Sequence, residues 1–169
     1  MDAAREGPPP QASRSEPSEG HPLRPFGLVL HHDGAWTHGG HPITHAKLRE
    51  HFDRSVVYLP EERKYVVTLR HFRGEIAVEE AAFFVRAFEP GSARIALSDR
   101  SEETLDPATL APSPIDGALL CRVKRALAPR GLLARFAHAA QAELLHAVEA
   151  SPSGMRLRVG GVWQRLPEL

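Results

Sequence analysis

The sequence has almost no cysteine and no excess of either charge, and each absence excludes a class of protein. Cys121 is the only cysteine, so no disulfide can form within the chain. The 21 basic and 21 acidic residues give a net charge of +0 and a pI of about 7.2. A neutral chain has no overall positive field to attract nucleic acid or an anionic membrane. We therefore expect no nucleic acid and no membrane among its partners.

Long apolar runs are also missing. No stretch approaches the roughly 20 apolar residues that a membrane-spanning helix needs, and the first residues lack the apolar centre of a secretory signal. A soluble cytoplasmic protein is the expectation. Neither a phosphate-binding glycine loop nor a Gly-x-Ser-x-Gly elbow is present, so no reaction and no cofactor are predicted.

Proline is abundant, and much of it stands at the beginning of the chain. Residues 1–25 are rich in Pro, Ser, Glu, Gly and Arg and have almost nothing apolar to bury. Such a segment cannot offset the entropy cost of ordering its backbone. We predict a disordered N-terminal leader over residues 1–25.

The rest of the chain predicts an α+β protein made of two small halves, each with one helix against a mostly antiparallel sheet. The predicted halves are residues 26–98 and 119–169, and the proline-punctuated segment 99–118 connects them. The repeated order of strands and helices suggests a domain duplication, although no repeat is visible in the residues themselves.

In the first half, alternating apolar residues from Phe26 predict a strand that ends in an Asp33-Gly34 turn. Thr44 is a suitable N-cap for a helix that ends near Asp53. Four short alternating segments follow, over residues 65–70, 75–79, 83–88 and 95–97. Their close spacing predicts an antiparallel meander.

In the second half, Leu119, Cys121 and Val123 alternate with Leu120, Arg122 and Lys124 in a predicted strand, and Cys121 is expected in the core. An apolar stripe predicts a long helix over residues 131–150, which Ser151-Pro152 ends. Two strands around the Gly160-Gly161 turn close the chain.

Six of the ten histidines lie within residues 31–52, and two interpretations are open. They could bind a metal and support a hydrolase, because imidazole is a common zinc ligand. They could instead form a solvated corner without a metal, which is the interpretation that we favour. The histidines are His31, His32, His38, His41, His45 and His51.

The same stretch carries a family resemblance. The motif DGAWTHGGHPIT, the helix after it, Tyr65 and the segment Val78-Glu79-Glu80-Ala81-Ala82-Phe83 resemble a bacterial family of unknown function, numbered 1285. The resemblance covers most of residues 26–166 and is weaker in the second half. This chain departs from the family pattern at Thr44-His45, where the family has Arg, and at Glu80 and Ala82, where it has Asp and Pro.

The resemblance implies two related α+β halves, of which the C-terminal one is similar to a pleckstrin-homology fold. It also implies a cleft between the halves for a nucleotide-like ligand, and a role in signal transduction. The resemblance does not imply an enzymatic activity.

The leading hypothesis is therefore a non-catalytic ligand-sensing module with an anionic ligand between its halves. Arg122 and Lys124 share a face of a predicted strand, Arg135 is placed early in the predicted helix, and phosphate prefers such cations. A carboxylate at the end of a strand could face them across the cleft. The predicted ligand-binding residues are Trp36, Glu79, Glu80, Arg122, Lys124 and Arg135. The alternative is a protein-interaction scaffold with a packed seam, with a protein partner and no ligand.

Overall fold

The computed structural model describes residues 24–69 and 72–169. The predicted leader lies outside the described residues up to residue 23, and Arg24 and Pro25 already belong to the first strand. Arg70, the last residue of the predicted segment 65–70, is also outside them. The strands are β1 (Arg24–Leu30), β2 (Trp36–His38), β3 (His41–Pro42), β4 (Val56–Leu59), β5 (Lys64–Leu69), β6 (Phe72–Val78), β7 (Phe83–Glu89), β8 (Arg94–Leu97), β9 (Glu102–Thr104), β10 (Ala111–Pro112), β11 (Leu119–Val123), β12 (Leu132–Phe136), β13 (Val148–Ser151), β14 (Gly154–Val159) and β15 (Val162–Arg165). The helices are α1 (Ala46–Ser55) and α2 (His138–Ala147), and a 3-10 turn covers Pro107–Thr109.

Two six-stranded sheets share one topology. The first has the order β3-β2-β1-β6-β5-β4, and the second has the order β10-β11-β12-β7-β8-β9. β1 and β6 lie side by side and parallel in the first sheet, and β7 and β12 do so in the second. The other neighbouring strands of both sheets are antiparallel. The predicted α+β fold with two similar halves is confirmed. Duplication remains a prediction, as does the likeness of the second half to a pleckstrin-homology fold.

The four strands of the predicted meander exist, but they do not form one sheet. β6 ends at Val78 in the first sheet, and β7 begins at Phe83 in the second, where it pairs with β12 and β8. The boundary between the sheets therefore lies before the residue 98 boundary that the sequence suggested. The segment 99–118 contributes β9 and β10 to the second sheet.

The predicted helix over residues 131–150 is wrong at both ends, because α2 covers only His138–Ala147 and β13 already begins at Val148. Residues 132–136 form β12, and α2 begins only at His138. Gly131 has φ +69°, and a Cβ there would lie 2.8 Å from the carbonyl oxygen of Val123. The chain thus leaves a hairpin at Gly131 and enters the sheet, where β12 lies between β11 and β7. Arg135 is consequently on a strand.

The helix α1 is present, but its cap differs from the expectation. The N-cap is His45, whose ring Nδ1 accepts a hydrogen bond from the backbone N–H of Leu48 at 3.3 Å, and Thr44 is not the cap. Beyond the helix, β7 does not alternate regularly. A bulge between Val85 and Ala87 places Arg86 outside while Phe84 and Phe88 are buried.

One continuous core joins the two halves. Its buried cluster includes Trp36 and Phe52 of the first half and Phe83, Cys121 and Leu144 of the second. Cys121 is fully buried, as predicted, and burial raises the pKa of its thiol to about 12. No helix within the described ranges is long and apolar enough to cross a bilayer.

Trp36 is the largest of the fully buried side chains, with 1% of its surface exposed. We expect Trp36→Ala to lower the free energy of unfolding by roughly 3–5 kcal/mol, because it removes a large ring from a packed core. Denaturant unfolding measures the loss. Trp163→Ala is the matched control, because Trp163 is 39% exposed. Equal losses in the two variants would contradict the burial of Trp36.

Candidate functional site

The structure separates the six predicted ligand-binding residues into different places. Trp36 is in the core and does not line a cleft. Its ring lies 5.3 Å from the ring of Phe52, and its Nε1 donates a hydrogen bond of 2.8 Å to Asp53 Oδ1. The contribution of Trp36 is therefore to hold the Asp53 carboxylate in a fixed orientation.

Glu79 follows β6 and closes the histidine corner. Its Oε2 accepts hydrogen bonds from the backbone N–H of His32 at 2.7 Å and from the His32 ring Nδ1 at 2.8 Å, and the His31 ring is 3.5 Å away. These bonds from His32 lower the pKa of Glu79. In return, the hydrogen bond to Glu79 raises the pKa of His32. Within the described residues, no three His, Cys, Asp or Glu side chains come together as a metal site would require.

Glu80 and Arg135 are brought together, in a closed network. Arg135 Nη1 lies 2.9 Å from Glu80 Oε2, and the two side chains are only 9% and 6% exposed. The second nitrogen of the guanidinium binds Asp116, and Ser113 donates to the other oxygen of Glu80. The bond from Arg135 lowers the pKa of Asp116 to about 2. The Arg135 guanidinium is thus occupied by two carboxylates. Its bond to Glu80 attaches the segment between β6 and β7 to β12 of the second sheet.

Lys124 and Arg122 do not act together. β11 ends at Val123, and Lys124 has a φ of 51°, so the alternation that would place both cations on one face stops before Lys124. Lys124 Nζ lies 2.7 Å from Asp99 and 4.9 Å from the centre of the Phe83 ring. Arg122 instead lines a separate basic pocket of about 460 Å³, together with Thr109, Arg125, Pro129 and Arg130.

A larger groove lies between the halves, and residues that the sequence did not single out line it. Its volume is about 640 Å³. The first half contributes the turn after β1 and one side of α1, and the second half contributes β7 and the turn after β8. The lining residues are Asp33, Gly34, Ala35, Ala46, Arg49, Glu50, Asp53, Arg54, Arg86, Leu97, Ser98 and Arg100. We call this space the arginine groove.

Two ion pairs connect the walls of the arginine groove. Arg86 Nη2 lies 2.7 Å from Asp53 Oδ2, and Asp53 is only 12% exposed because it also binds Trp36. Arg100 Nη2 lies 3.6 Å from Glu50 Oε1, with both side chains more than 60% exposed. The first pair is therefore a fixed structural contact, whereas the second is solvated and weak.

The other two arginines of the groove have no carboxylate partner. Arg54 donates from Nε to the backbone carbonyl of Glu50 at 3.3 Å, and the side chain of Arg49 has neither a hydrogen bond nor an ion pair within the described ranges. With four arginines and three carboxylates, the groove carries a net charge of about +1. The guanidinium groups make the groove suited to binding an anion.

A signal for this groove does exist in the sequence. Arg49 and Asp53, and likewise Glu50 and Arg54, are four residues apart and therefore neighbours on α1. What the sequence does not show is that this charged side of the helix faces β7 and the turn after β8, because those segments belong to the other half.

Comparison with known proteins supports the fold. No family model and no curated protein matches the sequence. The structure is similar to that of a DUF1285 family protein from Silicibacter pomeroyi, with a TM-score of 0.61 and 17% identity over 92% of this chain and 89% of that chain. A DUF1285 family protein from Shewanella baltica has a TM-score of 0.49 and 16% identity over 72% of this chain and 91% of that chain. The chain therefore has the fold of DUF1285 proteins, which confirms the resemblance at the level of fold.

The His32–Glu79 contact makes a prediction about pH. Because the pKa of His32 is raised above 6.5, its contribution to stability is complete below that pH and is lost as the pH rises through the folded value. The lowered pKa of Glu79 has the opposite sign, so its contribution is present above 4.5 and is lost in acid. We expect Glu79→Gln to return the His32 pKa towards 6.5 in an NMR titration.

Glu75→Gln is the matched control for this titration. Glu75 lies on β6, near Glu79, but its carboxylate pairs with Lys64 at 2.9 Å. The control should leave the His32 titration unchanged. An unchanged His32 titration in Glu79→Gln would show that the contact does not control its protonation.

Proposed function

We propose that this protein is a non-catalytic ligand-binding module that takes a small phosphate-bearing anion in the arginine groove and serves a sensing or signalling role. The observation that carries the proposal is the presence of two arginines, Arg49 and Arg54, without carboxylate partners in a groove that both halves build. A volume of about 640 Å³ is in the range of small-molecule sites.

The charge arrangement favours phosphate in particular. Guanidinium groups bind phosphate oxygens through paired N–H donors, which gives both energy and orientation. The Arg100–Glu50 pair is exposed and long, so an anion could recruit Arg100 with little loss. The groove lining includes no aromatic side chain among the described residues, so we expect the phosphate groups of a nucleotide-like ligand to be recognised and its base to contribute little.

Ligand binding in this place would affect the contact between the halves. Arg49 and Arg54 belong to α1, whereas Arg86 and Arg100 belong to the second sheet and the turn after β8. An anion held by arginines of both sets adds a bridge beside the Arg86–Asp53 pair. It would therefore reduce relative motion of α1 and the turn, which is the kind of change that a sensor can transmit to a protein partner.

The alternatives depend on different observations. The continuous core across the halves agrees with the scaffold hypothesis, which predicts a packed seam, but the open arginine groove beside that core favours a ligand. The metal-dependent hydrolase has less support, because the histidines of residues 31–52 that the structure describes do not form a three-ligand group.

Thermal-shift measurements with pyrophosphate and with ADP test the proposal. A ligand that binds only the folded state should stabilise it by about 2.7 kcal/mol at a concentration a hundred times its dissociation constant. Arg49→Gln and Arg100→Gln should each weaken binding by roughly tenfold or more, because each removes charged hydrogen bonds to the anion.

Two control variants locate the effect. Arg94→Gln removes an exposed arginine that pairs with Glu89 and Glu102 outside the groove, and Arg122→Gln removes one from the basic pocket. Both should keep the full thermal shift. If neither anion shifts the wild type, or if Arg122→Gln loses the shift while Arg49→Gln keeps it, the arginine groove is not the site.

A further inference from the structure

The chain ends in a third, three-stranded sheet whose two faces differ in chemistry. β14 pairs antiparallel with β13 on one side and with β15 on the other. Leu157, in the middle of β14, is 1% exposed and packs in the core. Because side chains alternate along a strand, Arg156 and Arg158 project from the opposite face.

The strand register identifies the remaining members of this outer face. Arg158 stands opposite Trp163 of β15, and Arg156 stands opposite Arg165. Directly opposed residues of an antiparallel pair point to the same side, so these four side chains share the face. The guanidinium carbon of Arg156 lies 4.4 Å from the centre of the Trp163 ring, which agrees with that placement.

Charge on the outer face is strongly one-sided, although the whole chain is neutral. No acidic residue occurs between Glu149 and Glu168 in the sequence. Glu149 stands opposite Arg156 and pairs with it at 3.2 Å, which leaves Arg158 and Arg165 without a carboxylate partner among the described residues. Both are exposed, and Trp163 between the strands is 39% exposed.

We propose that this outer face binds single-stranded nucleic acid, with Arg158 and Arg165 on phosphates and a base stacked on Trp163 and Arg156. Flat sheet faces that combine arginines with an aromatic ring suit single strands, because every base can stack and every backbone unit carries a charge. The proposal departs from the expectation of no nucleic-acid partner because that expectation used the charge of the whole chain. The relevant charge here is local, and the fold creates it by bringing β14 and β15 together.

A single strand fits this face better than the other anionic surfaces. An anionic membrane would favour protruding apolar side chains beside the arginines, but the large apolar residue that the register places here, Trp163, lies against Arg156. A duplex would present phosphates with its bases hidden, which leaves the ring without a function. The proposal does not depend on the arginine groove, since none of the groove residues belongs to this sheet.

Intrinsic fluorescence tests the proposal with short oligothymidylate as the probe. Trp36 is buried and Trp163 is exposed, so stacking of a base should quench the fluorescence of Trp163 alone. We expect quenching that saturates, and an affinity that falls with salt with a logarithmic slope of about −1.4 for two phosphate contacts. The same titration with Trp163→Phe should bind the probe, as fluorescence anisotropy of a labelled oligonucleotide shows, without the quenching.

Variants assign the roles. Trp163→Ala should weaken binding roughly 5- to 150-fold, the range that corresponds to loss of one base–aromatic stack. Arg158→Gln and Arg165→Gln should each weaken binding and reduce the salt slope by about 0.7. Arg94→Gln, which changes an exposed arginine of the second sheet, should bind as the wild type does. Circular dichroism of each variant checks that it is folded.

Four results of the oligonucleotide measurements would overturn the proposal. They are no binding of oligothymidylate at low salt, binding without any change in Trp163 fluorescence, tighter binding of a duplex of equal length, and equal binding by Arg158→Gln. Stronger binding to phosphatidylserine vesicles than to the oligonucleotide would assign the face to a membrane surface and would also reject the proposal.

Discussion

The carboxylate of Asp53 makes the polar contact between the halves on which the wall of the arginine groove depends. One of its oxygens accepts the Trp36 indole N–H, and the other accepts the guanidinium of Arg86. The carboxylate is thus fixed from the core side by the first half and from the surface side by the second. Removal of Asp53 would leave a buried indole N–H without an acceptor and Arg86 without a partner, and the wall of the arginine groove would lose its attachment to β7.

Two sets of basic side chains in this neutral chain differ in whether a carboxylate neutralises them. Arg135, Lys124 and Arg86 are neutralised by carboxylates and hold the fold together. Arg49 and Arg54 in the arginine groove, and Arg158 and Arg165 on the outer face of the third sheet, have no carboxylate partner in the described part of the chain. Arg135 and Lys124 are largely buried and require a partner, and the half-exposed Arg86 is held by the largely buried carboxylate of Asp53. An exposed cation without such a contact can remain available for a ligand.

Local signals in the sequence were sufficient for the fold class, the first strand, the Asp33-Gly34 turn, the position of α1 and the burial of Cys121. They were not sufficient for β12. The apolar spacing of residues 131–150 fits a helix, but residues 132–136 form a strand because they pair with β11 on one side and with β7, distant in sequence, on the other. The predicted ligand set failed to assemble for a similar reason. Strand alternation predicted a shared face for Arg122 and Lys124, but the positive φ of Lys124 ends that alternation. Arg135, predicted at the start of a helix, is on β12 and is buried against Glu80.

The sequence shows the charged side of α1 but not the whole arginine groove, because the lining residues extend from Asp33 to Arg100. The order of strands in the two sheets decides which of these segments meet. The central claim is that an anion occupies this groove. The most direct test is backbone NMR of the protein titrated with pyrophosphate. We predict that the amide shifts change at residues 33–35, along α1 and at residues 97–100. Changes confined to the pocket around Arg122, Arg125 and Arg130, or no changes at saturating pyrophosphate, would contradict it.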